Sequence, residues 1–476
     1  MLLKRLFLFT ILFLCIKKSH AQPQVNAGEN ILLLSTESDT TITDTVTLFT
    51  IKSVEIEGNR QTRNQIILRE LSFNVNDQLS LSVLAEKFTE AKEQLMNLGL
   101  FRNVVVSLKS VSGQDAIVNI YVLERWYIYP IPFLKVVERS FGEWFNKRDM
   151  DRVNYGIRIT HNNTTGRNDK FYLKLMHGYT REVSFSYNNI FLDKALKWSA
   201  ALGAGYGQNR EVNYSTKDNK QMFLKKNNEY IHSFFFTSLS VNYRKAIKTR
   251  HSFGLGYNRE TLSDSVFALN PDFSFQKNVL EIPQISYGLS YQNVDFIPYP
   301  EKGSSINANF LKRGFVSRIN LWQFALKTQN IFTLSDKYFF NLQFAGMLKL
   351  PFKQPYITRR LIGYDGFYLD GYDKYVIDGV AGGYSRTTLT RKLVNTAFNI
   401  PSTRVKQLNY IPLKIYAKVF ANAGYVHDPE ANKNSLANTF LYAGGVGVDI
   451  VLFYNMIFRL EWSINHLKQN GLSLQR

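Results

Sequence analysis

Met456–Leu467 reads MIFRLEWSINHL. In an extended chain successive side chains point to opposite faces. Met456, Phe458, Leu460, Trp462 and Ile464 therefore share one face, and Arg459, Glu461, Ser463 and Asn465 the other. Tyr338–Leu348, YFFNLQFAGML, repeats the pattern, with Phe340, Leu342 and Phe344 set against Asn341 and Gln343. One apolar face toward lipid and one polar face toward a wet lumen is the pattern of an outer-membrane barrel. A soluble β-sandwich alternates in the same way, so the pattern alone leaves both open.

Working outward, residues 127–476 divide into sixteen strands. They fall near 131–137, 153–161, 169–179, 181–190, 197–207, 226–243, 250–259 and 278–293, then 304–315, 320–332, 337–348, 383–394, 413–424, 440–452, 456–465 and 471–476. With both ends in the periplasm, links after even strands should be tight and links after odd strands free to be long. The long links, 208–225, 260–277, 349–382 and 426–439, all follow odd strands, and YPEKG (Tyr299–Gly303) makes a compact turn after an even one. The link near 395–412 breaks the rule.

Composition points the same way. Aromatics make up 14% of the chain, and after residue 127 there is no amphipathic helix of ordinary length and no apolar run of about 18 residues, which excludes helical spans. The net charge of +20 comes from Lys and Arg spread along alternating strands, not gathered on one face, which argues against nucleic acid and for lumen and rim charges that attract acidic groups such as lipid phosphates. The first 21 residues form a secretory signal: Lys4 and Arg5, an apolar run from Leu6 to Ile16, then Ser19-His20-Ala21. Leu14 is too bulky for lipoprotein processing at Cys15, the single cysteine, which leaves with the signal. Residues 22–50 read as a flexible polar leader.

Residues 51–126 form a small α/β module. IKSVEIEG alternates as a strand, Thr62 stands as a helix N-cap, and RNQIILREL makes a short helix. A second helix from Val83 to Leu98 carries Leu84, Phe88, Ala91, Leu95 and Leu98 on one stripe and stops at Gly99. RNVVVSLKS and AIVNIYVLERW follow as strands. The order β-α-α-β-β, with Gly58, Asn59 and Thr62 after the first strand and Gly99 and Phe101 joining helix to strand, resembles a POTRA domain. That resemblance implies a periplasmic adaptor receiving unfolded chains, by adding an extended client segment to an exposed sheet edge.

Signal, POTRA domain and sixteen-stranded antiparallel transmembrane barrel together resemble the BamA/TamA-type outer-membrane assembly and translocation superfamily, with a barrel of the bacterial surface antigen kind. The resemblance makes 349–382 the sixth extracellular loop, folded back into the lumen. In the family its V/L-R-G-F/Y motif locks onto an acidic residue in F-x-D-x-G of the thirteenth strand. The matching residues are Leu369, Asp370, Gly371 and Tyr372, and Phe420, Asn422 and Gly424. Aspartate thus replaces the arginine and asparagine the aspartate. The expectation is that the loop still inserts, with the Asn422 amide donating to the Asp370 carboxylate and nearby cations assisting; on that reading Asp370→Arg needs Asn422→Asp beside it to restore the lock. The chain also ends on NGLSLQR, without the family's terminal aromatic, so the closing strand reads as short; either the first and last strands pair weakly or the barrel needs another route to insertion.

Nothing points to catalysis. His161, His177, His232, His251 and His427 have no zinc spacing, and the loop carboxylates Asp365, Asp370, Asp373 and Asp378 do not have EF-hand spacing. Neither a phosphate-binding nor a dinucleotide motif is present. The expectation is a non-enzymatic outer-membrane protein without cofactor, its POTRA domain in the periplasm of a Gram-negative cell. Its partners would be unfolded outer-membrane or secreted clients, outer-membrane lipid and accessory assembly proteins. A passive channel for small solutes is the alternative.

Overall fold

The computed structural model describes residues 47–137, 144, 150–226, 229–274, 278–315, 319–364, 366–399, 410–431, 434–452 and 456–475. The signal, the leader up to residue 46 and Asp365 lie outside the described residues.

The N-terminal module contains β1 (Leu48–Glu57), α1 (Asn64–Leu68), β2 (Gln78–Ser80), α2 (Leu81–Asn97), β3 (Phe101–Ser112) and β4 (Asp115–Glu124). Its sheet runs β2-β1-β4-β3, with β1 and β4 parallel. Two details depart from the sequence reading. The sequence order lacks β2, whose three residues are too few to show a period. In addition β1 begins at Leu48, inside the stretch assigned to the leader. Ser80 caps α2 by accepting from the Val83 N–H at 3.5 Å, and Leu84, Phe88, Ala91 and Leu95 bury against Ile51, Phe101, Val104 and Ile120. Gly99 ends the helix at φ +72°, a conformation open to glycine.

The rest is one antiparallel sheet of sixteen strands: β5 (Ile128–Val136), β6 (Val153–Asn162), β7 (Lys170–Gly178), β8 (Thr180–Phe191), β9 (Trp198–Asn209), β12 (His232–Arg244), β13 (Thr249–Leu262), β14 (Val279–Val294), β15 (Gly303–Arg313), β16 (Leu321–Thr333), β17 (Tyr338–Leu350), β20 (Ala381–Asn399), β21 (Tyr410–His427), β22 (Leu441–Val451), β23 (Ile457–Asn465) and β24 (Asn470–Gln475). The remaining strands lie in loops: the hairpin β10 (Glu211–Lys217) and β11 (Lys220–Lys225), and the pair β18 (Arg360–Ile362) and β19 (Ile377–Asp378). Short helices α3 (Asp264–Leu269) and α4 (Tyr356–Arg359) lie in the fourth and sixth extracellular loops. No described helix is long and apolar enough to cross a membrane.

Alternation sorts the wall as expected. Leu460, Trp462 and Ile464 are exposed outward, while Glu461, Ser463 and Asn465 are buried inward. Strands β20 and β21 pair as far as Asn399 and Tyr410, so the anomalously long twelfth link shortens to 400–409. Pro412, at the boundary of that link, pairs with Ala397 inside the ladder.

The sheet is paired from β5 round to β24, and among the described residues these two strands share no ladder. The short last strand pairs only with β23, over Arg459–Ile464. On the other side of the seam, the Val137 N–H donates to Arg152 and Tyr127 accepts from Asn162. Antiparallel alternation then turns odd-numbered residues of β5 toward β6 and even-numbered ones toward the open edge. Pro130 and Pro132 are even, so that edge lacks two donors. Pro130→Val with Pro132→Val is expected to supply both, each bond adding about 0.5–1.5 kcal/mol. Slower amide exchange across β24 would show the seam zipping; unchanged exchange would refute it.

Candidate functional site: the loop anchorage and the periplasmic mouth

Leu369–Tyr372 is a β-turn, closed by the Tyr372 N–H donating to the Leu369 carbonyl at 3.2 Å. Its third residue, Gly371, has φ +85°, and an added Cβ would come within 2.8 Å of the Ala443 Cβ. The turn presses its motif against the inner wall. Leu369 is buried beside Gly424, where an added Cβ would meet Leu369 Cδ2 at 3.3 Å. Tyr372 is 1% exposed; its hydroxyl donates to the Tyr442 carbonyl at 3.0 Å, accepts from the Tyr442 N–H at 3.1 Å and contacts His466. The Asn465 amide donates to the Gly371 carbonyl at 2.8 Å. Phe420 packs over Gly445, whose missing side chain leaves room for the ring.

Residue 370 is gripped by two wall residues that face each other across one ladder, Arg386 on β20 and Asn422 on β21. The Arg386 guanidinium holds the Asp370 carboxylate at 2.7 Å, and the Asn422 amide donates to the Asp370 backbone carbonyl at 3.2 Å. This corrects the expected contact. Asn422 reaches the backbone, and the carboxylate goes to an arginine of the twelfth strand. The arrangement is an ion pair of reversed polarity, loop acid to wall base. Beneath it Lys418 lies between Asp449 and Glu461, all three buried. Arg386, Asn465 and His466 were not singled out from the sequence.

The extracellular end is closed by loops. The β10–β11 hairpin tip, Asn219, accepts from the Val376 N–H at 2.9 Å and bonds the 434–436 segment, while Arg359 pairs with Glu430 at 2.9 Å.

At the periplasmic end the POTRA module seats on the barrel turns. Gly58, at φ +87°, lets the chain turn where an added Cβ would lie 2.1 Å from the Val122 carbonyl oxygen. The Asn59 amide then donates to the Thr62 carbonyl at 2.9 Å, and the Glu124 carboxylate accepts the Gln61 and Thr62 N–H groups. Those bonds hold Glu124 below the usual carboxylate range, although burial pushes it upward. Thr62 does not cap a helix. Arg63 holds the N-cap position without a side-chain bond, and the Thr62 hydroxyl instead joins Tyr127 and Asn163 in a buried cluster. The Arg63 N–H donates to Gly166 at 2.9 Å, tying this turn to the first periplasmic turn of the barrel. Phe101 is fully buried in the module's core.

Three carboxylates complete the seat. Glu70, 1% exposed, takes both arms of Arg244; Glu90 meets Lys248 at 2.7 Å; Glu93 meets Lys302 at 2.7 Å. Asn97 donates to the Val294 carbonyl at 3.0 Å and accepts from the Ile297 N–H at 2.8 Å. The turn it holds, 295–302, folds into the lumen. Tyr299 stacks on Tyr416 at 4.6 Å and donates to Asp449 at 2.8 Å. Glu301 pairs with Lys392 and Lys414, whose charges outweigh burial and keep its carboxyl below the ordinary range.

The hydrogen bond from Lys248 is the main cause holding the Glu90 carboxyl down to about 2 from an ordinary 4.5. A depressed carboxylate stabilises the docked state fully above its free pKa. Docking is therefore expected to hold above about pH 4.5 and weaken as pH falls toward 2; the distance between labels on module and barrel, followed across that range, checks it.

Among the described residues no group of three or more His, Cys, Asp or Glu is arranged to hold a metal.

Comparison with known proteins follows the geometry. Residues 49–125 match the POTRA family model, described as surface antigen variable number repeat, and residues 163–465 match the Omp85 superfamily domain. Sorting and assembly machinery component 50 homolog A of Xenopus laevis is 24% identical over 180 residues, 34% of this chain and 36% of that protein. Outer membrane protein assembly factor BamA of Neorickettsia risticii is 30% identical over 77 residues, 16% of this chain and 10% of its own length. The chain thus spans well under half the length of these curated relatives. CdiB from Escherichia coli shares the fold, with a TM-score of 0.53 at 10% identity over 90% of this chain and 75% of that one. Because the Omp85 model alone spans more than half of the sequence, the chain belongs to the Omp85 superfamily, with a POTRA module ahead of its barrel.

Proposed function

We propose that this protein works in the outer membrane, where it receives unfolded client chains through its periplasmic POTRA module and assembles them into the membrane or passes them across it. The observation that carries the reading is the seam. β5 and β24 are the two ends of the sixteen-stranded sheet and share no ladder among the described residues, so each keeps an open backbone edge. Backbone groups at membrane depth need partners, and an open edge recruits an incoming strand. The POTRA sheet has an edge of its own: β3 pairs with β4 alone, with Val105 and Val111 exposed along it. Strand addition there asks for no particular client sequence. The names of the frog and Neorickettsia relatives support the assembly half of the reading, and nothing in it calls for catalysis, cofactor or nucleic acid. A passive solute channel fits less well, because the POTRA module seats on the turns at one end of the barrel and bonded loops cross the other.

Quantitative proteomics of outer-membrane and secreted fractions after depletion tests the reading. Loss of particular barrels means assembly, and loss of particular secreted proteins means translocation. If both fractions hold their composition, the channel replaces it. A photo-crosslinker at Val105 separately reports whether clients touch β3.

A further inference from the structure

Between the seated POTRA module and the inserted loop the lumen holds a partly open cavity of about 720 Å³. Arg69 and Asn97 form part of its floor and Phe367 part of its roof. Its walls carry Lys170, Lys197, Arg244, Arg250 and Lys327, and among the described residues no aspartate or glutamate lines it. Glu70 neutralises Arg69 and Arg244 from behind. Lys170, Lys197, Arg250 and Lys327 have no side-chain ion pair among the described residues, and the buried Arg244 Nε has no partner there. Arg244 and Arg250 also stand directly opposite each other in the β12–β13 ladder, where like charges repel. Seven asparagines add hydrogen-bonding groups.

We infer that this cavity is a binding site for a multiply charged oxyanion of the phosphate-ester class. Phosphate oxygens accept from guanidinium, ammonium and amide groups converging from several directions, which is what the walls offer. The volume lies in the usual range for a ligand pocket. An acidic polypeptide fits less well, because the wall strands β7 to β17 are paired on both sides and offer its backbone no ladder. Three residues of the POTRA module, Arg69, Asn97 and Leu98, complete the site, so an occupant also bridges module and barrel.

The same chemistry is available from a soluble phosphate ester or a lipid headgroup, and one titration separates them. Inositol hexakisphosphate is titrated into the full chain in phosphatidylcholine nanodiscs at about 0.1 M salt, where exposed charges are screened beyond roughly 10 Å. The expected result is one saturable site. Affinity should fall at least tenfold in Lys170→Gln/Arg250→Gln and, independently, in Lys197→Gln/Lys327→Gln. It should be unchanged in Lys194→Gln/Lys245→Gln, whose lysines are exposed on the periplasmic turns. Weaker apparent affinity in nanodiscs containing phosphatidic acid assigns the site to a headgroup, and no competition assigns it to a soluble ester. No saturable binding, or affinity unchanged from the parent in both cavity variants with their folding verified by circular dichroism, overturns the inference. The assay reads binding alone and does not depend on client transfer.

Discussion

Arg386→Ala frees the sixth loop, so that added protease cuts within residues 366–376 of the variant and spares the parent. The Asp370 side chain is 6% exposed, and removing Arg386 leaves its carboxylate facing Glu461 from a buried position. Removing one partner of a buried ion pair costs about 3–5 kcal/mol, because the other charge stays unpaired. The Asn422 bond to the backbone remains, but a neutral bond offsets only about 1 kcal/mol of that. Asp370→Arg should be worse than Asp370→Ala, since it sets two guanidiniums face to face. Asp370→Arg with Arg386→Asp restores opposite charges in the same geometry and should recover most of the protection. Asp370→Arg with Asn422→Asp, the pair suggested by the family motif, should recover less, because Arg386 still opposes the new arginine. If exchanging 370 and 386 protects no better than either single change, the ion pair is not what holds the loop.

Glu70→Ala should unseat the POTRA module with an effect of similar size. Glu70 is the one carboxylate holding Arg244 and Arg69, and Arg250 stands beside them. Burial already pushes Arg69 down to about 10 despite Glu70. Without that carboxylate three guanidiniums are gathered at one point, and the module relieves the repulsion by leaving. Spin labels replacing the exposed Lys109 and Lys245 would report a longer, broader distance distribution in the variant. Glu70→Arg with Arg244→Glu should narrow it again. A distribution unchanged by Glu70→Ala would mean that the Asn97 and Gly166 contacts suffice.

The barrel was legible because alternation is local: each strand declares its own faces, and fourteen or so residues are enough to read them. The loop motif was legible as a motif, but its partner was not. Arg386 stands opposite Asn422 only through the β20–β21 register, a property of two strands that no single stretch carries. The β10–β11 hairpin was readable in principle. Asp218 and Asn219, both at positive φ, form a two-residue hairpin turn flanked by strand-forming runs, but the long link masked it. Thr62 shows the opposite failure, a residue of capping type at a helix start that tertiary contacts with Tyr127 and Asn163 have claimed. The contacts of Glu70, Glu90 and Glu93 were invisible because their partners lie well over a hundred residues away.

The turn at 295–302 has a fixed residue count. Ile297 and Lys302 are pinned to α2 of the POTRA module, and Tyr299 and Glu301, between them, are pinned to β20, β21 and β22 on the lumen wall. Surface loops ordinarily tolerate insertions because they span open water. Here one added residue would reverse which side chains face module and wall, and no local bulge could restore both sets. Among proteins descended from a common ancestor with this one, the expectation is that the links at the far end of the barrel grow and shrink while this turn keeps its length.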